Sequence, residues 1–434
     1  MSLPDKAIAP GPADRARYFQ SIAIIGVLFF IFGFVTWLNG SLIPFLQLAC
    51  ELRESEALLV PFAFYLAYFF LALPSSEILK RTGFKKGMSL GLLIMAGGAL
   101  VFIPAALTRT FALFLTGLFV QGMGLALLQT ASNPYISIVG PIESAARRIS
   151  IMGICNKAAG VLSPLILSAI TLAGAAALKR QIEDTGDVAV REQLLRELAH
   201  RVIGPYVVMA VVLVGLALMI RLSPLPEIDT DGPEAQDDDA RVVRSIFGFP
   251  HLWLGALCIF VYVGAEVMAG DVIGPYGQAL GLSLDTTKNL TSATLACMVV
   301  GYCLGIALIP KVIKQETALK LAAVIGLVLA TLAYLSHGYT SILFIALLGL
   351  ANAPMWPAIF PMGITGLGRF TKTGSAILIM GIVGGAIIPQ IYSRLLVDKV
   401  GLPRQSAFFW TVLPCYLYIL FFATFGHRAG RRRS

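Results

Sequence analysis

Twelve stretches of this chain are apolar for about twenty residues or more, and no other feature restricts its fold as severely. They run approximately over 19–47, 57–79, 87–107, 111–138, 149–172, 203–222, 251–279, 289–310, 317–336, 340–366, 373–397 and 405–426. A hydrocarbon core about 30 Å thick is crossed by about 20 helical residues. Backbone in lipid must satisfy its own hydrogen bonds, so runs of this length predict helices. The expected class is an all-α polytopic membrane protein with twelve transmembrane helices. Composition agrees, since 57% of the 434 residues are hydrophobic and only 13% charged. So few polar residues cannot cover a soluble particle of this size, which excludes disorder, a basic nucleic-acid-binding domain and most soluble enzymes.

The charge pattern then predicts orientation. Net charge is +9, and cytoplasmic loops carry the excess of Lys and Arg in polytopic proteins. With both termini inside, inner segments hold 21 of these residues and outer loops 11, five of them in the single long loop 173–202. That loop reads as an amphipathic surface helix. The expected layout is a cytoplasmic N-tail (1–18), a six-helix half (19–222), an acidic cytoplasmic linker (223–248), a second half (249–426) and a basic cytoplasmic C-tail (427–434). Six scattered cysteines without C-x-x-C spacing predict neither a disulfide framework nor a zinc site.

An internal repeat relates the halves. Run 1 carries Gly33 and Pro44, and run 7 carries Gly264 and Pro275, each pair eleven residues apart. LLQTASNP in run 4 aligns with LANAPMWP in run 10, placing Gln129 opposite Asn352. Gly160 and Pro164 in run 5 match Gly385 and Pro389 in run 11. Three matches in one order predict two pseudo-symmetric six-helix halves.

FGFVTWLNGSLIPFL (32–46), FAFYLAYFFLALPSSEILKRTGFKKG (62–87), LLQTASNPY (127–135), GICNKAAG (153–160) and FVYVGAE (260–266) carry a resemblance over nearly the whole chain. They resemble the major facilitator superfamily, in its fucose:proton symporter-like sugar branch, and most of all its glucose/galactose and N-acetylglucosamine permeases. The resemblance implies the major facilitator fold, alternating access and cation-coupled sugar uptake across a bacterial inner membrane. Two departures stand out, because Gly40 and Gln129 occupy positions where fucose symporters carry carboxylates in runs 1 and 4. After run 2, Lys80 also stands where an aspartate is usual.

A charge inside a span is costly and is kept mainly for pairing or transport. Lys157 and Glu266 lie near the middle of runs 5 and 7, and Asp271 lies closer to the outer face. Glu266 and Asp271 are the candidate cation-coupling acids, with Glu266 alternatively a direct ligand of the sugar's hydroxyls. Five residues apart, they lie about 140° apart around a helix, which argues against one metal cage. Sugar recognition needs donors and acceptors for hydroxyls and an aromatic plane for the ring. The candidates are Trp37, Asn39, Tyr65, Tyr68, Gln129, Asn133, Asn156, Lys157, Asn352, Trp356 and Gln390. No P-loop or H-E-x-x-H occurs, and the G-x-S-x-G at Gly87–Gly91 opens a membrane helix instead of following a strand, so no enzyme is expected. The reading is a cation-coupled carrier of a hexose such as glucose or galactose, or of N-acetylglucosamine, driven by sodium or protons, with no cofactor or bound metal and functional as a monomer in the bilayer. An uncoupled sugar facilitator is the alternative.

Overall fold

A computed structural model describes residues 12–138, 145–223, 225, 245–309 and 312–430. The acidic cluster from Glu227 to Asp239, most of the N-terminal tail and the last four residues lie outside these. The described residues are helical nearly throughout. Eleven continuous stretches are long and apolar enough to cross a membrane. One of them, Ser55–Thr108, has 54 residues, about 80 Å at 1.5 Å per residue and more than two bilayer crossings. Within its long helix Leu59–Thr108, Gly83 (φ 77°, ψ 172°) is the one residue with non-helical backbone angles and divides the stretch into spans 2 and 3. Twelve spans result, with this glycine in place of the loop expected after run 2. An even number brings both ends of the chain to one face, here called the terminal face, opposite the far face.

Spans 1, 7 and 10 are each interrupted by one or two residues, and proline explains where. A proline cannot donate to the carbonyl four residues back and clashes with it. In span 1, Pro12–Trp37 and Asn39–Ala49 part at Leu38, and Pro44 frees the carbonyl of Gly40 close by. In span 7, Pro250–Gly270 and Ile273–Ala279 part at Asp271 and Val272, with Asp271 four residues before Pro275. In span 10, Gly338–Asn352 and Met355–Ile364 part at Ala353, four residues before Pro357. The breaks in spans 1 and 7 both fall between the repeat's glycine and proline.

Spans 1 and 5 pack through Gly33, where a Cβ would run into the Asn156 backbone carbonyl. In the other half, span 7 meets span 11 the same way, a Cβ on Gly384 striking the Phe260 carbonyl. Small residues let membrane helices approach this closely.

On the far face, the loop expected to form one amphipathic helix forms two, Ala175–Asp184 and Val188–His200. The chain is interrupted between them, and Asp187 caps the second by accepting from Ala189 and Val190 amides. The second helix is tied down by charge. Arg109 donates to Glu192, and Glu51 pairs with both Arg109 and Arg191. The Arg109 hydrogen bond holds the Glu192 carboxyl below the usual carboxylate range.

Candidate functional site

Midway across the molecule, spans 1, 2, 4 and 5 meet spans 7, 8, 10 and 11 around a cavity of about 100 Å³. Its wall brings together nine of the residues expected from sequence: Trp37, Tyr65, Tyr68, Gln129, Asn133, Asn156, Lys157, Glu266 and Trp356. At its centre the Lys157 ammonium donates to Glu266 Oε1 at 2.9 Å. One partner belongs to span 5 and the other to span 7, so the bond joins the two sets of six spans. Tyr262, one turn before Glu266, donates to the same oxygen at 2.8 Å. Both donors crowd Oε1, and Oε2 has no hydrogen bond among the described residues. Lys157 also lies 4.3 Å from the centre of the Trp37 ring, a distance at which a cation is attracted to the π face.

The N-terminal wall is polar. Gln129 Nε2 donates to Tyr68 Oη at 3.1 Å. Asn133 donates to the Gln129 carbonyl at 3.0 Å, and Asn156 to the Phe29 carbonyl across to span 1 at 3.4 Å. Thr36 and Trp37 also line the cavity, and Thr36 Oγ1 and Trp37 Nε1 are buried with no hydrogen-bond partner among the described residues. The opposite wall is aromatic. Trp356 stacks on Phe360 with centroids 5.7 Å apart and leans on Tyr262 at 6.5 Å. Such a wall can take up a small neutral polyhydroxylated molecule, with amides on one side and a carboxylate and flat rings on the other.

Four expected residues stand outside this wall. Asn352 is fully buried in the second half, where its Oδ1 accepts from Tyr416 at 2.9 Å, which makes it an interhelical tie. Gln390 sits toward the far face and donates to the Leu58 carbonyl at 2.8 Å, bridging the halves. Asn39 and Asp271 are fully buried at the breaks of spans 1 and 7. Thr36, Tyr262 and Tyr302 are wall residues that sequence reasoning missed. A hydroxyl in an apolar run carries no mark of the face it occupies, although Tyr262, four residues before Glu266, shares its helix face and was open to that inference.

The halves touch on both sides of the cavity. Toward the far face, Ser168 Oγ donates to Asn289 Oδ1 at 2.9 Å, in addition to the Gln390 bridge. Nearer the centre, Ser292 donates to the Val161 carbonyl at 2.8 Å. Toward the terminal face, Thr371–Met380 of span 11 packs on spans 2 and 4. The cavity of about 100 Å³ lies between these contacts.

The family model of the Major Facilitator Superfamily matches residues 25–389. The chain belongs to the Major Facilitator Superfamily. Among its relatives in that superfamily is the glucose/galactose transporter of Brucella abortus, 33% identical over 420 residues that span 96% of each chain. The L-fucose-proton symporter of Escherichia coli is 27% identical over 429 residues, 97% of this chain and 96% of that one. Among solved structures, the major facilitator transporter FucP in the outward conformation superposes with a TM-score of 0.76 at 26% identity, covering 94% of this chain and 99% of that chain. The major facilitator fold and the likeness to the fucose symporter branch expected from sequence are thereby shown. The relatives are named as transporters, and this chain is a multi-pass membrane transporter and not an enzyme.

Proposed function

We propose that this protein imports a neutral monosaccharide by alternating access, coupled to a cation, across a bacterial inner membrane with both termini in the cytoplasm. The observation that carries the reading is the Lys157–Glu266 pair, buried at the centre and shared between the halves. An ion pair in low dielectric is expensive to form and to break, and it is best explained as a bond meant to be exchanged. Hydroxyls of a sugar are the natural competitors. They can donate to Glu266 Oε2 and accept from the amides of Gln129, Asn133 and Asn156, while the ring lies against Trp356. Glu266, read from sequence as a coupling acid, is in this account the sugar's anionic anchor and the latch between halves. The names of the relatives support a hexose such as glucose or galactose, or a 6-deoxyhexose such as fucose.

The test is binding and uptake of labelled galactose, glucose and fucose by the purified carrier in proteoliposomes. Gln129→Ala and Asn156→Ala each leave hydrogen-bonding groups unmatched, at about 1–3 kcal/mol apiece. Binding of the preferred sugar is expected to weaken at least severalfold in each. Unchanged affinity in both, or no counterflow of any of the three sugars by the wild type, refutes the reading. Uptake that never exceeds equilibrium under any ion gradient would select the uncoupled facilitator.

A further inference from the structure

Asp271 has the least accounted-for environment of the ionisable side chains in the described spans. It is fully buried at the break of span 7, and among the described residues neither carboxyl oxygen receives a hydrogen bond. The backbone around it is well provided for. Its own amide and that of Val272 both donate to the Val267 carbonyl, at 2.8 and 3.2 Å. From span 8, Thr294 donates to the Ala269 carbonyl at 2.9 Å and Thr291 to the Gly270 carbonyl at 2.8 Å. The lack of a partner is therefore specific to the side chain. Three groups stand within electrostatic reach of it: Glu266 on its own span, Lys157 from span 5 and the Tyr65 hydroxyl from span 2. The one cation among them is already held by Glu266 Oε1.

An ionised carboxylate here would be dry, unbonded and in excess of the available positive charge, which costs far more than holding the neutral acid. A metal ion is a poor remedy. Transporters that bind sodium at a broken helix use the carbonyls that the break releases, and of those here the Ala269 and Gly270 carbonyls already accept from threonines, which leaves the Asp271 carbonyl opposite Pro275. Among the described residues, no group of three His, Cys, Asp or Glu side chains is arranged to hold a metal. A proton needs no such cage.

Building on the transport reading above, we infer that Asp271 carries the coupling proton, at a site distinct from the sugar cavity, and that the coupling ion is the proton and not sodium. The carboxylate takes a proton from water when the far face is open and returns it to water when the terminal face opens. No other bond is made or broken. Trp37 links the two sites. It lines the cavity beneath the Lys157 ammonium, and its ring packs so tightly on Gly270, the residue before Asp271, that a Cβ there would strike it. Asp271 and Glu266 both act on the one ammonium of Lys157, so the protonation state of Asp271 bears directly on the strength of the Lys157–Glu266 bond.

The experiment uses the full-length carrier in proteoliposomes, with internal pH read by a dye while galactose, glucose or fucose is added outside. Wild type is expected to acidify the lumen with sugar entry, unchanged by replacing sodium with potassium or choline. Asp271→Asn is expected to lose both this proton movement and concentrative uptake while sugar counterflow persists, which a merely structural role would not allow. Asp271→Glu, which restores a titratable group, is expected to recover proton movement at least in part. Sugar-coupled proton entry in Asp271→Asn equal to wild type overturns the inference, as does wild-type uptake that follows the sodium gradient and ignores pH. If Asp271→Asn fails to fold, the wild-type ion dependence and Asp271→Glu still decide. Absence of counterflow in wild type would instead condemn the sugar-transport reading itself.

Discussion

Glu266 shows how much chemistry rests on single atoms. Its Oε1 takes two donors and its Oε2 none, and the Tyr262 hydroxyl is half of what fixes that orientation. Removing a hydrogen bond to a charged group costs about 1.5–3 kcal/mol. Tyr262→Phe, which keeps the ring against Trp356, should therefore weaken sugar binding by about tenfold or more while leaving expression intact, as read by equilibrium binding. Affinity equal to wild type would mean that Lys157 alone orients the carboxylate. Lys157 and Glu266 were legible as partners because a charge at mid-membrane must find one, and these were the most central pair available. The amides gave no such handle. Asn352 and Asn156 look alike in sequence, yet one ties Tyr416 within its own half and the other faces the cavity. Which face an amide occupies depends on helix rotation, and apolar runs surrounded by lipid and protein alike do not record it.

The elements owe their positions to small residues and prolines. Gly33 lets span 1 lie against the backbone of Asn156, so the depth of that amide in the wall depends on a hydrogen atom in place of a methyl group. Gly33→Ala is expected to lower the melting temperature in detergent and weaken sugar binding together. At Gly97 in span 3 a Cβ would enter open space, with no neighbouring atom within 4 Å, and Gly97→Ala should be neutral or stabilise by up to about 1 kcal/mol through helix propensity. Equal melting shifts for the two would show that the tight contact is unimportant. In sequence, the matching glycine and proline spacing marked equivalent points of the two halves. It did not say that spans 1 and 7 would part there, because prolines at 104, 164 and 414 sit inside unbroken helices. A proline frees a carbonyl, and neighbours decide whether the helix opens. For span 7 the threonines of span 8 occupy that role.

For the molecule as a whole, the contacts that join the halves on the far side of the cavity imply that transport requires them to part. Ser168 and Asn289 meet across the halves at 2.9 Å. In a background without the six native cysteines, replacing both by cysteine and oxidising should lock the far face and stop uptake, and reduction should restore it. Full transport by the cross-linked protein would show that the far face does not open there. The same division into halves also governs how the chain is made. Lys157 enters the membrane 109 residues ahead of Glu266, and an uncompensated charge at the centre of a span costs about 2.5–3.5 kcal/mol on insertion scales. Until span 7 arrives, the first six spans hold an ammonium without its counter-ion. A truncated or stalled product thus exposes a defect that the finished carrier conceals, and one ion pair serves both as a moving part and as the electrical mark of a completed chain.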